Sequence, residues 1–320
     1  MGRRRKPPKG ALAIDGWLAV DKPLGISSAG VVARLRTAIK PKRIGHGGTL
    51  DPLATGVLPV ALGEATKTVS YVMEGLKEYR FTLAFGERRD TDDGEGVAIE
   101  TSEHRPENTD IEAHIGRFTG EIDQVPPAYS AIKLGGKRAY ARARAGETLD
   151  LQPRRVTINS LHLIDRPDRD HGVFEVTCGK GVYIRALGRD LALALGTVGH
   201  ISKLRRTRVG PFTEEAAIPL DKFVSLGHSA PAFEHLYPIE TVLDDIPALA
   251  VTGKQAAAIR QGRPVTMLRT GASGPHEDGQ GANPSELSDG TVVCAMEGNK
   301  LVALGRYYSG EIRPVRVLNI

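Results

Sequence analysis

One carboxylate, Asp51, lies in a glycine-rich stretch that could position it for chemistry. Three glycines, Gly45, Gly47 and Gly48, precede it and allow backbone dihedrals and close approaches that a residue with a Cβ resists. Pro52 follows and disfavours the helical region for Asp51. No other carboxylate and no Cys/His pair with metal-ligand spacing lies nearby in the sequence. The stretch predicts an acid that acts alone on a stiff, exposed loop; the alternative is a turn in which Asp51 only caps the backbone.

Secondary structure on both sides of this loop must hold Asp51 in place. Upstream, the pattern predicts a strand at 16–20, a turn at 21–25 and a helix that Ser28 caps, which ends at the basic cluster 40–43. Strands interspersed with helices along the chain indicate the α+β class, with a mixed β-sheet and flanking helices. Apolar periodicity predicts the downstream strands at 57–62, 77–85, 156–164 and 173–178, and the downstream helices at 64–75, 109–118 and 184–195.

Composition excludes several classes of protein. The chain has 320 residues, enough for two domains, and 40% of them are hydrophobic. No apolar run reaches membrane-spanning length, and residues 1–10, a basic arm expected to be disordered, do not lead into a secretory signal. Cys178 and Cys294 lie far apart in strand-like contexts, which favours buried reduced thiols over a disulfide or a metal site. We expect a cytoplasmic protein that does not bind a membrane.

Positive charge is concentrated in one stretch. The net charge is +5, and residues 131–159 contain seven bases against two acids. This excess predicts a positive face that binds a polyphosphate. Gly135 and Gly136 favour a mobile projection that orders on its ligand, and a solvated basic helix is the alternative. The acid-rich run 87–96 is interpreted as a solvated hairpin turn, because its spacing breaks the calcium-loop pattern.

The character of the chain changes near Tyr237. A capping box at 252–255 predicts a short helix, which precedes three short strands. Residues 271–290 are rich in Gly, Ser, Pro and Asp and are expected to form a flexible insertion. We therefore predict one domain at 11–235 and a small, mostly β, PUA-like RNA-binding module at 236–320, a label that rests on size and position.

The glycine-rich stretch belongs to a longer pattern. From Gly45 to Pro59 it reads G-H-x-G-x-L-D-P-x-A-x-G-x-L-P and closely resembles the catalytic motif of the bacterial TruB family of tRNA pseudouridine synthases. Further matches extend from about Asp15 to Phe212. The resemblance implies a pseudouridine-synthase fold. It also implies an isomerase that flips out uridine 55 of the tRNA T loop and converts it to pseudouridine, with no metal and no cofactor.

The resemblance also assigns roles to single residues. Tyr79 matches the active-site tyrosine, whose ring stacks on the target base, and Arg185 matches the arginine that pairs with the catalytic Asp51. His46 matches the histidine that fills the gap left by the extruded uridine, and Leu204 matches an apolar residue that closes the pocket. These roles are what the resemblance implies.

Substrate-binding residues are implied in the same way. Lys22, in a motif that supports the catalytic loop, is grouped with them, and 131–155 matches the RNA-clamping insertion of the family. The expected partner is the T stem-loop of tRNA, and we expect a monomer with no protein partner. The basic residues implied to bind RNA are Lys133, Lys137, Arg138, Arg142, Arg144, Arg154, Arg205 and Arg206.

A single carboxylate suits isomerisation. Breaking the C1′–N1 bond of uridine passes through an oxocarbenium-like state, which an anion stabilises or captures, as in retaining glycosidases. Glycosidases use two carboxylates, whereas here the uracil must be retained in a dry pocket and rejoined through C5. Asp51 is therefore the predicted nucleophile. Two alternatives stay open: an RNA-binding or RNA-folding protein in which Asp51 is structural, and a tRNA enzyme that exchanges or hydrolyses the base.

Overall fold

The computed structural model describes residues 10–130, 132–134, 137–147, 149–227, 233–267 and 282–320. Residues 1–9 of the predicted basic arm and residues 271–281 of the predicted insertion lie outside these ranges. The described α-helices are α1 (Ser28–Ile39), α2 (Val69–Glu74), α3 (Asn108–Ile115), α4 (Ala139–Arg144), α5 (Ile184–Ala194), α6 (Leu220–Leu226) and α7 (Gly253–Arg260). Short 3₁₀ helices span Gly63–Lys67, Gly116–Phe118, Ile239–Val242 and Pro284–Glu286.

The described strands form two larger sheets and two small hairpins. In chain order they are β1 (Gly16–Lys22), β2 (Ile44–His46), β3 (Ala54–Leu62), β4 (Lys77–Phe85), β5 (Glu87–Arg89), β6 (Ala98–Thr101), β7 (Gly120–Gln124), β8 (Lys133–Leu134), β9 (Lys137–Arg138), β10 (Arg154–Asp168), β11 (His171–Cys178), β12 (Gly199–Val209), β13 (Phe212–Thr213), β14 (Ile218–Pro219), β15 (Ala248–Ala250), β16 (Val265–Thr266), β17 (Val292–Glu297), β18 (Lys300–Tyr308) and β19 (Glu311–Val317).

The larger sheet has ten strands and mixed direction. Eight run in the order β14-β1-β3-β12-β4-β11-β10-β7, while β2 pairs with β3 and β13 pairs with β12. Most neighbours are antiparallel, but β1 is parallel to β14 and β3 is parallel to β12. The mixed sheet with flanking helices confirms the predicted α+β class. The parallel pairing also brings the start of β3, which directly follows the Asp51 loop, beside the middle of β12.

Alternating apolar residues fix the helices on this sheet. In β4, whose bounds are those predicted from the sequence, Phe81, Leu83 and Phe85 are buried. They share a core cluster with Leu187 and Leu191 of α5. A second cluster packs α1 and α6 against β1 and β3. Both helices that flank the site, α1 and α5, are therefore held by apolar burial.

The smaller sheet has five strands in the order β15-β17-β18-β19-β16, with α7 packed on it. It is not separated from the larger sheet: Trp17 of β1 is fully buried and shares a core cluster with Ile239, Leu304 and Leu318. Trp17 also exchanges two backbone hydrogen bonds of 2.8 Å with Tyr237. The two sheets are thus joined by a continuous apolar core, and the division at residue 235 stays a proposal.

The N-terminus of α1 differs from the prediction by one residue. Ser27, not Ser28, is the cap, and its Oγ accepts a hydrogen bond of 3.1 Å from the N–H of Gly30. Ser28 is the first helical residue and is buried. Its hydroxyl points towards the Asp51 loop, which gives this residue a different structural role.

Two expectations about the class of protein bear on the fold. Cys178 and Cys294 are both free and buried, as predicted. Burial raises the pKa of each thiol to about 12, so both are held as neutral thiols. Among the described residues, no helix combines the length and the apolar character that crossing a bilayer requires.

Candidate active site

Residues 47–53 connect β2 to β3 and carry Asp51; we call them the catalytic loop because the resemblance implies that Asp51 is the catalytic acid. Ser28 Oγ accepts a hydrogen bond of 2.8 Å from the N–H of Leu50 and donates one of 3.0 Å to its carbonyl oxygen. The N–H of Ala54 donates to the carbonyl oxygen of Asp51 at 3.1 Å. These bonds fix the backbone on both sides of Asp51, while 42% of its side chain stays exposed.

Lys22 supports the catalytic loop from within the protein. It is fully buried, and Nζ donates to the carbonyl oxygens of Pro23, Ile26 and Pro52 at 2.9, 2.7 and 3.3 Å. Burial lowers the pKa of the Lys22 ammonium from 10.5 to about 8, and the nearby Asp51 carboxylate offsets part of that effect. Grouping Lys22 with RNA-binding residues was wrong, because a side chain without exposed surface cannot contact RNA.

Asp51 faces Arg185 of α5. Oδ2 of Asp51 lies 2.9 Å from Nη2 of Arg185, and Nη1 of Arg185 lies 3.5 Å from Oδ2 of Asp93. Arg185 and Asp93 are both buried. Oδ1 of Asp93 accepts hydrogen bonds from the Thr91 hydroxyl at 2.6 Å and from the Glu95 N–H at 3.0 Å. Arg185 therefore contacts two carboxylates, one half-exposed and one held by further donors.

Asp93 corrects two expectations from the sequence. The loop acid was expected to have no second carboxylate near it, and the run 87–96 was expected to be a solvated turn. Instead Asp92 and Asp93 are only 5% and 6% exposed. The turn folds against α5, where arginines compensate the buried acids. Sequence reasoning missed this contact because no spacing pattern links an acidic turn to an arginine in a remote helix.

Backbone carbonyls complete the surroundings of Arg185. Its Nη1 donates to the carbonyl oxygen of Thr91 at 3.0 Å, and its Nη2 donates to that of Tyr129 at 2.9 Å. A guanidinium held by two backbone carbonyls and two carboxylates has little freedom to turn away from Asp51. The ion pair can orient the Asp51 carboxylate by charge attraction.

Arg206 lies behind the catalytic loop. This corrects the prediction that it is an RNA-binding residue on the surface. It is 2% exposed, and it donates through Nε to the carbonyl oxygen of Val57 at 2.8 Å and through Nη2 to that of Gly48 at 3.2 Å. Its register partner across β4 and β12 is Tyr79. Burial raises the pKa of Tyr79, and Arg206 offsets part of that effect. The inward orientation of Arg206 gives the carbonyl oxygens of Val57 and Gly48 a hydrogen-bond donor.

A close main-chain contact sets the distance between β3 and β12. Gly56 pairs with Arg206 in parallel register and has φ +98°. A Cβ built on Gly56 would lie 2.2 Å from the carbonyl oxygen of Arg206, so only glycine admits this approach. Ala54, at the end of the catalytic loop, pairs with Leu204 in the same register. Leu204 is thereby placed beside Asp51.

Two cavities meet at Asp51. Their volumes of about 580 and 690 Å³ fall within the range of roughly 300 to 1,000 Å³ that is typical of small-ligand sites. Across the described ranges, no group of three or more His, Cys, Asp or Glu side chains is arranged to hold a metal ion. Residues that line the first cavity include Asp51, Tyr79, Arg154, Ile184, Arg185 and Leu204. Residues that line the second include His46, Asp51, Tyr129, Tyr140, Arg144 and Arg185.

His46 ends β2 and lines the second cavity. Its Nδ1 is buried and makes no hydrogen bond. Burial, with a further contribution from Arg206, lowers the pKa of the imidazole. A neutral, planar ring at this position can stack against a base, which is the role that the resemblance implies.

Some of the predicted RNA-binding cations line the cavities. Arg154 begins β10, is exposed and lines the first cavity. Arg144 in α4 stacks over the ring of Tyr140 at 4.8 Å from its centroid and lines the second cavity. Lys133, Lys137 and Arg138 lie on the short hairpin β8–β9, directly before α4.

Two other predicted RNA-binding cations already have acidic partners. Nε of Arg142 lies 2.6 Å from Glu147. Arg205 lies 3.0 Å from Asp21 and 2.7 Å from Glu214. These partners compensate both charges, so Arg142 and Arg205 add less to the positive surface than the sequence suggested.

Comparison with known proteins gives matches along the whole chain. The family model described as TruB family pseudouridylate synthase, N-terminal domain, matches residues 36–184. The model described as tRNA pseudouridylate synthase B, C-terminal domain, matches residues 185–244. The junction between the two models falls at the start of α5, inside the core of the ten-stranded sheet.

Individual proteins extend this similarity. A tRNA pseudouridine synthase B from Rhodospirillum rubrum is 51% identical over 320 residues and covers 100% of both chains. One from Caulobacter vibrioides is 47% identical over 321 residues with the same coverage. A chain in the crystal structure of a Cbf5–Nop10–Gar1 complex superimposes with a TM-score of 0.70 at 26% identity, covering 94% of this chain and 84% of that one. With these full-length matches, the chain belongs to the TruB family of pseudouridylate synthases.

Proposed function

We propose that this chain is a tRNA pseudouridine synthase, which converts uridine 55 of the T loop into pseudouridine. The observation that carries the proposal is the 2.9 Å contact between Asp51 and the buried Arg185, where cavities of about 580 and 690 Å³ meet. Full-length relatives that are named tRNA pseudouridine synthase B support the same substrate. The reaction is an isomerisation, since substrate and product contain the same atoms.

Asp51 acts as the nucleophile. The C1′–N1 bond breaks, the uracil turns and a C1′–C5 bond forms; the proton on C5 leaves, and N1 gains a proton. The Asp51 carboxylate stabilises or captures the positive charge that develops during glycosidic cleavage. Arg185 orients that carboxylate, and its carbonyl partners hold the guanidinium in place.

The second carboxylate does not make this a glycosidase site. Both oxygens of Asp93 are already engaged: Oδ2 forms an ion pair with Arg185 at 3.5 Å, and Oδ1 accepts hydrogen bonds from the Thr91 hydroxyl and the Glu95 N–H. A general acid needs an oxygen that presents a proton to the leaving group. Asp93 supports Arg185 instead, so the arrangement favours retention of the base over hydrolysis.

The first cavity accommodates the target base. Tyr79 and Leu204 offer an aromatic and an apolar surface on which a flipped uracil packs. The ordinary pKa of a phenol is 10.0 and burial raises that of Tyr79, so its hydroxyl is protonated at neutral pH and can donate a hydrogen bond. His46 then fills the space that the base leaves in the T loop.

Cationic groups around the cavities bind the RNA backbone. Base flipping costs a few kcal/mol, which phosphate and stacking contacts offset. Arg154 and the stacked pair Arg144–Tyr140 supply such contacts, and the hairpin β8–β9 with α4 forms the clamp within 131–155. The PUA-like module at 236–320 adds a second RNA contact. The protein acts as a monomer in the cytoplasm, where tRNA is modified.

Tritium release from tRNA labelled at uracil C5 tests this function. Release by the wild type and none by Asp51→Asn is expected, with the modified base mapped to position 55. Asp221→Asn is the matched control, because this acid is 87% exposed and lies in α6, outside both cavities. It should release tritium at the wild-type rate.

Two results would contradict the proposal. Tight, salt-sensitive tRNA binding without tritium release from the wild type would favour an RNA-binding protein in which Asp51 is structural. Free uracil among the products would favour base exchange or hydrolysis.

A further inference from the structure

A buried ion pair joins the turn that carries Asp93 to the helix that carries Arg185. Nη1 of Arg189 lies 2.9 Å from Oδ2 of Asp92, and only 11% and 7% of the two side chains are exposed. Asp92 directly precedes Asp93. Arg189 follows Arg185 by one helical turn on α5, so the two arginines lie on the same face.

Asp92 is held by its backbone as well. It has φ +60°, in the left-handed region that a residue with a Cβ rarely adopts. Its N–H donates to the carbonyl oxygen of Arg89 at 3.0 Å, and its own carbonyl accepts from the N–H of Ile201 at 3.1 Å. Asp is found in this region more often than most residues with a Cβ. The ion pair with Arg189 adds a side-chain contact to the backbone hydrogen bonds of this turn.

Arg189 makes further contacts at the same time. Its Nε lies 2.8 Å from Oδ1 of Asp190, and its Nη2 donates to the carbonyl oxygen of Val125 at 2.8 Å. Val125 begins the segment that leads to Tyr129, whose carbonyl accepts from Arg185. Arg189 thus connects α5 to both chain segments that surround Arg185.

We propose that Asp92 and Arg189 are positioning residues, which hold the 89–93 turn on α5 so that Asp93 and Thr91 keep Arg185 directed at Asp51. The proposal rests on the proposed function, because the reaction at Asp51 is what this positioning serves. Neither residue lines either cavity at Asp51, so neither is expected to touch the substrate.

The energetics favour a positioning role over a gain in stability. A buried ion pair contributes little net stability, but the loss of one partner leaves the other charge uncompensated. Burial raises the pKa of the Asp92 carboxyl, and Arg189 is the largest opposing influence. A shift of about 1 Å at a catalytic group can cost about 100-fold in rate. A loosened turn should therefore affect the chemical step before it affects RNA binding.

The test compares Asp92→Asn, Arg189→Met and the double variant in single-turnover tritium release at saturating tRNA. Each single variant should be about 10- to 100-fold slower, while its Kd for tRNA stays within about twofold of the wild-type value. The double variant should be no slower than the slower single variant, because both break the same contact. Arg189→Lys should recover part of the rate. Asp221→Asn is the control and should keep the wild-type rate, since this exposed acid in α6 contacts neither Arg189 nor the cavities.

Hydrogen exchange across 89–93 gives a readout that does not require turnover. Faster exchange in Asp92→Asn is expected at a temperature well below the thermal transition of the variant, where the rest of the protein is folded. Unchanged exchange, or rates within twofold of wild type for both single variants, would overturn the positioning role. An inactive wild type would count against the proposed function alone, since the exchange comparison would still decide the role of Asp92.

Discussion

Replacing Lys22 with Met should change how the stability of this protein depends on pH. The pKa of Lys22 is about 8 in the folded state and 10.5 in its ordinary range. Below pH 8 the Lys22 amine is protonated in both the folded and the unfolded state, and a buried ammonium lowers the stability of the folded state. As pH rises from about 8 to 10.5, the folded state loses the proton that the unfolded state keeps, so stability increases.

The size of the effect follows from these limits. A difference of one bound proton changes stability by about 1.4 kcal/mol per pH unit, which gives about 3 kcal/mol over the interval from 8 to 10.5. Cys178 and Cys294 act with the opposite sign. Their pKa values are raised from 9.0 to about 12, so stability falls above pH 9 as the unfolded thiols ionise. In the wild type alone, the effect of the thiols on stability would therefore mask the effect of Lys22.

The assay is urea unfolding of the wild type and Lys22→Met at pH 7 and pH 10 under reducing conditions. Both proteins contain both thiols, so their contribution cancels in the difference. The stability of the wild type relative to the variant should rise by about 2 to 3 kcal/mol between the two pH values. Lys203→Met, at an exposed lysine, should run parallel to the wild type. A difference for Lys22→Met that stays constant within about 0.5 kcal/mol would refute the reasoning.

Two further predictions concern the contact between β3 and β12 and the base pocket. Gly56→Ala should lower the free energy of unfolding by about 2 to 5 kcal/mol, from the positive φ and the clash with the Arg206 carbonyl. Gly262→Ala is the control, because Gly262 has φ +76° and open space around a Cβ; it should lower the free energy of unfolding by only about 1 to 2 kcal/mol, the cost of the positive φ. Equal losses for the two variants in urea unfolding would contradict a steric clash at Gly56. Tyr79→Phe should slow single-turnover tritium release by about 100-fold and leave the Kd for tRNA unchanged, and a wild-type rate would exclude a role for the hydroxyl.

Local patterns were enough to predict much of the fold. The bounds of β4 follow from strict alternation, because its side chains face the core and the solvent in turn. The catalytic loop could be recognised because glycines and Pro52 restrict their own backbone. Arg185 could be assigned to the start of a helix, and the resemblance supplied its partner Asp51. The structure brings these two residues together.

Contacts between distant segments could not be predicted. Arg205 and Arg206 look alike in a run of bases, yet adjacent side chains in a strand point to opposite faces. The alternation of side chains along a strand implies that one of the two arginines points into the protein. Both carry the same charge, so charge does not indicate which one. The register is set by the parallel pairing of Gly56 with Arg206, which is a long-range property. Asp93 was missed for the same reason, since its partner lies on α5.

The apolar cluster around Trp17 determines how the protein can be divided. Leu304 and Leu318, on the C-terminal side of the chain, belong to the same buried apolar cluster as this indole of the ten-stranded sheet. A fragment that ends near residue 236 would expose β1 to water, at a cost of roughly 25 cal/mol for each Å² of apolar surface. The exposed patch would also promote self-association. The five-stranded sheet therefore stabilises the fold of the ten-stranded sheet, and the two should unfold in a single cooperative transition.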